Sequence, residues 1–322
     1  MNSAPHSMPP ALGRLGRARR LLSVAFVAVA LAYVCWMLSR HLDELQANLV
    51  SLGPGGMLAF LVLATVSIAI TTTYHAVLLG EMVAGQLPRM RSCAAYAVGQ
   101  IVRYLPGKVW GLFYEANVLG GSADLGSITL SVLVQTVLGY AWATALAATI
   151  LLAAYTGTPA LYLLLVPAAC ALWFAHRIPW PRRFIAALPL LGKRVNMQQQ
   201  SAGLDASESI RLSALLILNW MPFLVGWIFL LAANHGPVEA VTYGAAYMLA
   251  SIATTAMVVV PSGLVVREAL FTWLGVTIGL PVADLLLYGV VVRLILTLAD
   301  LLNAGLFVAA DWLTRHIAPD WG

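Results

Sequence analysis

Charged residues are scarce in this sequence: Lys, Arg, Asp and Glu make up 10% of 322 residues, against ~25% in an ordinary soluble domain. So little charge cannot cover a water-facing surface, which excludes a soluble enzyme. Cysteine is scarcer still. Cys35, Cys93 and Cys170 are odd in number, widely spaced and set in apolar stretches, a pattern that fits neither a disulfide framework nor a zinc cluster. Long polar intervals are also missing. The longest runs from Arg177 to Ser209 and is rich in Gln, Ser and Gly, too short for a catalytic domain of its own. Ser122 and Ser262 lie beside glycine without a Ser-His-Asp or Ser-Lys constellation. With no nucleophile, metal cluster or phosphate-binding P-loop in view, no cofactor and no metal are expected.

Apolar length is abundant. Hydrophobic residues reach 61% and mean hydropathy is +0.86, and runs of about 18 residues or more recur, each able to cross a ~30 Å hydrocarbon layer as a helix. The expected fold is therefore an all-α polytopic membrane protein. Six full spans are expected at about Leu21–Leu38, Met57–Leu79, Ile128–Ala154, Ala160–Phe174, Leu212–Ala232 and Ala283–Ala310. The first, with no small-x-small cleavage site after it, reads as a retained signal-anchor.

Two further segments are apolar but interrupted. Residues 93–120 contain Arg103 and Pro106-Gly107-Lys108, and residues 240–280 contain Pro261-Ser262-Gly263 and Arg267-Glu268. Proline removes a backbone donor and glycine loosens the chain. Such breaks are tolerated at membrane depth only inside protein or beside a wet cavity. Positive residues set the sides: Arg14, Arg17, Arg19 and Arg20 before the first span, Arg89 and Arg91, and Arg182 to Arg211 around the long connection are expected in the cytoplasm. The formal charge of +5 is thus orientation rather than nucleic-acid binding. Six crossings satisfy this pattern if each broken segment re-enters on the side it entered.

The organisation expected is a basic cytoplasmic N-terminus (1–20), a first membrane repeat (21–154), a second repeat (155–312) carrying the cytoplasmic connection 177–210, and a cytoplasmic tail (313–322). Each repeat has the order span, span, broken segment, span, and the second is inverted relative to the first. Inverted repeats with broken helices meeting at the midplane are a recurring architecture of secondary transporters.

Seven charges fall at membrane depth: Arg103, Lys108, Glu115, Arg267, Glu268, Arg293 and Asp300. Each costs at least ~2.5–3.5 kcal/mol on insertion scales, so each needs a partner or water. Four are cations and three are carboxylates, so pairing can neutralise all but one. Two readings stay open, a structural ion network and a network that also receives a ligand. Arg103 and Lys108 flank the first break and are the best contacts for a phosphate, joined by freed amides near Val109. Arg293 and Asp300 lie two turns apart on one seam expected to face the bundle interior. Glu115 and Glu268, one per repeat, are candidates to hold a cationic group or a proton. His75 with Thr71, Thr72 and Thr73, and Gln100 and Gln135, read more simply as helix-to-helix hydrogen bonding. Trp36, Trp180 and Trp312 read as interfacial anchors.

The stretch Gly99-Gln100-Ile101-Val102-Arg103-Tyr104-Leu105-Pro106-Gly107-Lys108-Val109-Trp110-Gly111, with Pro261-Ser262-Gly263-Leu264-Val265-Val266-Arg267-Glu268, resembles the two signature stretches of the lysylphosphatidylglycerol synthase transmembrane region, a flippase-like integral membrane protein family. The second departs from a Pro-x-Gly-x-Gly-x-x-Glu form at Val265 or Val266. The resemblance covers about Leu21 to Ala310 and implies a stand-alone member without the synthase domain, set in a bacterial inner membrane. It implies translocation of a membrane lipid or lipid-linked substrate, with envelope-biosynthesis enzymes as partners. Two other readings remain. One is a membrane-embedded transferase of lipid-linked sugars using Asp43 or Glu44 as base, and the other is a non-transporting scaffold of an envelope-lipid or polysaccharide synthesis complex.

Overall fold

The computed structural model describes residues 52–83, 87–102, 110–177, 204–256 and 266–317. In chain order the elements are α1 (Pro54–Met82), α2 (Arg89–Val102), α3 (Trp110–Leu119), a 3₁₀ turn (Gly120–Ser122), α4 (Leu125–Thr156), a 3₁₀ segment (Pro159–Leu164), α5 (Leu165–Arg177), α6 (Ala206–Leu231), α7 (Pro237–Ala256), α8 (Val266–Thr277) and α9 (Val282–Ile317). Among the described residues there is no strand.

Among the described residues five stretches are long and apolar enough to cross a membrane: Pro54–Met82, Leu125–Thr156, Pro159–Arg177, Ala206–Leu231 and Val282–His316. They contain four of the six windows expected as spans and all but the last residue of a fifth, Leu212–Ala232, and the sixth, Leu21–Leu38, lies outside the described residues. The protein is therefore an all-α, multi-pass membrane protein. Its surface agrees. Leu58, Val62 and Val66, four residues apart on α1, are 61%, 53% and 44% exposed, and Leu294, Leu298, Leu302 and Leu306 repeat the pattern on α9. Apolar stripes of this length in water would drive aggregation, whereas in hydrocarbon they cost nothing.

Three details differ from the sequence reading. Helices run past the apolar windows, since hydropathy marks hydrocarbon thickness while backbone hydrogen bonding continues into the interface. The Ala160–Phe174 window is not one α-helix but six residues of 3₁₀ followed by thirteen of α, together still about 32 Å long. The expected 177–210 connection ends earlier, because Asp205 caps α6 and turns the chain helical from Ala206. Its carboxylate accepts from the Ala206 N–H at 2.6 Å, and this bond holds its pKa below the ordinary aspartate value.

The first broken segment is a helical hairpin. Gly99 on α2 meets Gly111 on α3, and the Arg91 guanidinium donates to the Val118 carbonyl at 2.6 Å. Partners that separate in both directions along the chain make the two helices antiparallel. In the second broken segment α7 packs on α8, with Tyr247 edge-on to Phe271 at 5.3 Å. Over the described residues α2, α3 and α8 have 14, 10 and 12 residues, each below the ~20 needed to span, and α7 has 20. The breaks themselves, Pro106, Gly107, Pro261 and Gly263, lie outside the described residues.

α1 and α6 form the central pair. Glycine brings them close: a Cβ on Gly56 would sit 2.7 Å from the Phe229 carbonyl, and one on Gly226 2.7 Å from the Phe60 ring. Small residues at helix crossings are how membrane helices gain van der Waals contact. Pro222 inside α6 withholds the N–H due to the Leu218 carbonyl. One residue on, the Ser67 hydroxyl of α1 donates to the Asn219 carbonyl at 2.5 Å, the kind of side-chain help that lets proline sit in a buried helix. Around this pair, α2 packs on α9 and α7 packs on α4. Trp227 of α6 fills the centre at 0% exposure, its ring within 6.5 Å of those of Phe60, Tyr247, Phe271 and Tyr288.

α4 starts where Asp124 accepts from the Gly126 and Ser127 N–H groups. Asp124→Ala removes that cap and should destabilise by about 1 kcal/mol, seen as a small drop in the thermal midpoint of the detergent-solubilised protein. Asp124→Asn, which keeps a capping oxygen, should restore most of it.

Candidate functional site

A cavity of about 480 Å³ opens in the middle of the bundle. Both halves of the chain wall it: Thr71, Tyr96, Gln100, Glu115 and Gln135 from α1 to α4, and Asn219, Tyr247, Ser251, Arg267, Arg293 and Asp300 from α6 to α9. This cavity brings charges and hydroxyls together with apolar side chains such as Ile68, Phe223 and Leu296, inside a bundle whose outer face is leucine and valine. In a membrane protein such a cavity is a functional-site candidate by default.

Its second-half wall carries charge in a defined order. Arg267 and Glu268 are neighbours at the start of α8, and adjacent helical residues diverge. Arg267 faces the cavity with its guanidinium 5.8 Å from the Tyr247 ring centroid, in cation–π range. Glu268 turns to α9 and accepts from Arg293 at 2.7 Å. Arg293 and Asp300 both line the cavity, so the expected seam on α9 does face inward. Asp300 is 5% exposed.

The first-half wall carries a network that sequence reasoning did not assemble. Glu115 on α3 is 2% exposed and bonds His75 Nε2 on α1 at 2.7 Å, while His75 itself is fully buried. His75 Nδ1 bonds the Gln135 side-chain oxygen at 3.1 Å, and the Gln135 amide donates to the Tyr96 hydroxyl at 3.0 Å. Tyr96 also stacks on the imidazole, centroids 4.0 Å apart. The reading of His75 and Gln135 as helix-to-helix hydrogen bonders is met in part, with an ionisable partner added. The missing signal was available in the sequence: Glu115 is an acid without an assigned partner, and His75 is a base at membrane depth. The threonines behave more simply. Thr71, Thr72 and Thr73 bond carbonyls one turn back on α1, and Thr72 also accepts from Asn303 of α9 at 3.1 Å.

Of the seven charges expected at the site, Glu115, Arg267, Glu268, Arg293 and Asp300 are described. Four line the cavity, and Glu268 holds one of those four. Arg103 and Lys108 lie outside the described residues. Among the anchors, Trp312 sits near the end of α9, 56% exposed and stacked on His316, and Trp36 and Trp180 lie outside the described residues. Among the described residues no group of three or more His, Cys, Asp or Glu is placed to hold a metal ion.

A separate polar cluster closes the turn between α6 and α7. His235 stands between Glu239 at 3.0 Å on Nδ1 and Asp284 at 3.5 Å on Nε2, with the Tyr288 hydroxyl 3.1 Å from Nε2. The two carboxylates sit on opposite ring nitrogens, an arrangement that ties α6, α7 and α9 together rather than converging on a ligand. No protein-family model, curated protein or solved structure matches the chain.

Proposed function

We propose that this protein is a lipid flippase or transporter that moves an anionic or lipid-linked headgroup between bilayer leaflets. The observation that carries this reading is the charged cavity walled by both halves of a bundle whose outer face is apolar. The headgroup enters the cavity while its acyl chains stay in surrounding lipid. Arg267 and Arg293 offer guanidinium donors to a phosphate or other anion. Ser251, Gln100 and Asn219 offer neutral donors and acceptors to glycerol, sugar or amino groups. Arg103 and Lys108 join them as phosphate contacts on sequence grounds, and the resemblance noted above implies the same class of cargo.

Alternating exposure comes from rocking of two inverted repeats. Support for the repeats lies in who packs on whom. The expected repeat pairs α1 with α6, α2–α3 with α7–α8, and α4 with α9. An internal two-fold must then map the α2·α9 contact onto α7·α4, and both contacts are made. The two broken segments re-enter from opposite sides under this reading, in a bacterial inner membrane with both termini in the cytoplasm.

The test is reconstitution into vesicles of phosphatidylethanolamine and phosphatidylglycerol, with a trace of fluorescent phosphatidylglycerol whose outer-leaflet copies are bleached by a membrane-impermeant reductant. Wild-type protein should let bleaching pass the half accessible in protein-free vesicles, and folded Arg103→Ala and Arg267→Ala variants should not. Lipid mass spectrometry of the purified wild type beside Arg103→Ala should find one lipid class enriched in the first only. Equal lipid content and equal bleaching in all three proteins would overturn the assignment.

A further inference from the structure

The protons of the His75–Glu115 pair can be placed from its neighbours. Gln135 fixes the histidine tautomer. Its side-chain nitrogen faces the Thr71 carbonyl at 3.4 Å and the Tyr96 hydroxyl at 3.0 Å. A carbonyl only accepts, so the NH₂ lies on that side and the amide oxygen is turned to His75 Nδ1 at 3.1 Å. An amide oxygen also only accepts, so Nδ1 carries a hydrogen. The contact between Nε2 and the Glu115 carboxyl at 2.7 Å then requires one more. Either an imidazolium faces a carboxylate or a carboxylic acid faces a neutral imidazole. Without that hydrogen, two lone pairs would oppose each other in a buried site. The pair therefore holds one shared proton and no net charge.

Position gives that proton somewhere to go. Glu115, Tyr96 and Gln135 line the cavity, and His75 lies behind them at 0% exposure. The titratable and charged groups that line the same cavity are Tyr74 on α1, Tyr96 on α2, Tyr140 on α4, Tyr247 on α7, Arg267 on α8, and Arg293 and Asp300 on α9. α4 also contributes Gln135 and Ser131, and α6 contributes Asn219, none of them charged. A proton leaving the Glu115 carboxyl or the imidazolium passes to the cavity, and the product is a carboxylate against a neutral imidazole.

That product is a mechanical event. α3 packs chiefly on α2 and α4, and the His75–Glu115 bond is its buried polar tie to α1. Loss of the shared proton leaves the imidazole one hydrogen for its two contacts, so either the Glu115 or the Gln135 contact loses its hydrogen and the buried tie between α3 and α1 weakens. The geometry points to the His75–Glu115 pair as a proton-loading site that exchanges one proton with the cavity and couples the transport cycle to a proton gradient. The coupling rests on the transport reading, whereas the proton site does not.

Two measurements on the full chain separate these. The first counts protons released by detergent-solubilised protein when the pH is raised across the whole range in which it stays folded. Wild type should release one more proton than Glu115→Gln, and equal counts would overturn the site. Infrared difference spectra of wild type with isotope-labelled glutamate across the same range need no variant. They should show a buried-glutamate band that shifts as Glu115 loses its proton or its imidazolium partner, beyond the bands of the exposed glutamates, and a spectrum with no such band would overturn the site even if Glu115→Gln fails to fold.

The second measurement uses the phosphatidylethanolamine and phosphatidylglycerol vesicles with fluorescent phosphatidylglycerol and an imposed pH difference. For one proton per lipid the steady-state leaflet ratio should move by up to about tenfold per pH unit, and in Glu115→Gln it should stay at its gradient-free value. A wild-type ratio unmoved by the gradient would overturn the coupling. A wild type that moves no labelled lipid would overturn the transport reading and the coupling with it, while the proton count still decides the site.

Discussion

Gly111→Ala should unfold the first hairpin far more readily than Gly99→Ala, although each adds one methyl group at the same helix crossing. A Cβ on Gly111 would lie 2.6 Å from the Gly99 carbonyl oxygen, and one on Gly99 would lie 3.2 Å from the Gly111 carbonyl oxygen. The first distance is below anything a carbon tolerates, and the second needs a shift of only a few tenths of an ångström. The obstacle in both cases is backbone, which cannot rotate aside as a side chain can. Gly111→Ala should therefore cost about 3 kcal/mol, the upper end of the ~1–3 kcal/mol typical of overpacking, and Gly99→Ala about 1 kcal/mol. Gly111→Leu should prevent α3 from docking at all.

The consequence reaches the cavity. Gly111 and Glu115 are one turn apart, so they share a face of α3, and parting α3 from α2 carries Glu115 away from His75. Thermal midpoints of the three variants in detergent would check the order, and the proton count of Gly111→Ala should fall with that of Glu115→Gln. A Gly111→Ala protein as stable as wild type would show that the two helices do not cross at this point.

Those glycines illustrate what was legible in the sequence and what was not. They stand in the stretch that carries the family resemblance, and the sequence alone gives no reason for them beyond that. The crossing supplies a reason, because only residues without a Cβ let α2 and α3 touch backbone to backbone. Spans were legible because bilayer thickness imposes a length on apolar runs, and the seam of Arg293 and Asp300 was legible because two turns of helix return to one face. The divergence of Arg267 from Glu268 follows from the same geometry. Partner choice between helices was not legible. His75 and Glu115 are 40 residues apart on separate helices, and helical period says which face a residue occupies, never which neighbour that face meets. Counting charge with histidine neutral also hid His75 from the list of buried ionisable groups, leaving Glu115 without its base.

Arg293→Ala should be the most damaging single change on the second-half wall, and the reason lies in the residue it leaves behind. Glu268 uses one carboxylate oxygen to accept from Arg293 at 2.7 Å, and its other oxygen is buried without a hydrogen-bond partner among the described residues. Its charge thus depends on one guanidinium. Removing one partner of a buried pair costs ~3–5 kcal/mol, chiefly through the charge left uncompensated, and bordering a cavity puts this pair near the lower figure, about 3 kcal/mol.

The asymmetry gives the decisive comparison. Glu268→Gln leaves Arg293 facing a cavity that can hydrate it and should cost less than Arg293→Ala. Arg293→Ala combined with Glu268→Gln removes the stranded charge and should recover much of the lost thermal midpoint, although Arg267 is then left without the second guanidinium beside the cavity. Transport separates the two roles of Arg293. If the guanidinium only neutralises Glu268, the double variant should move labelled lipid at the wild-type rate. If it also holds the headgroup, as proposed, the double variant should be stable and inactive.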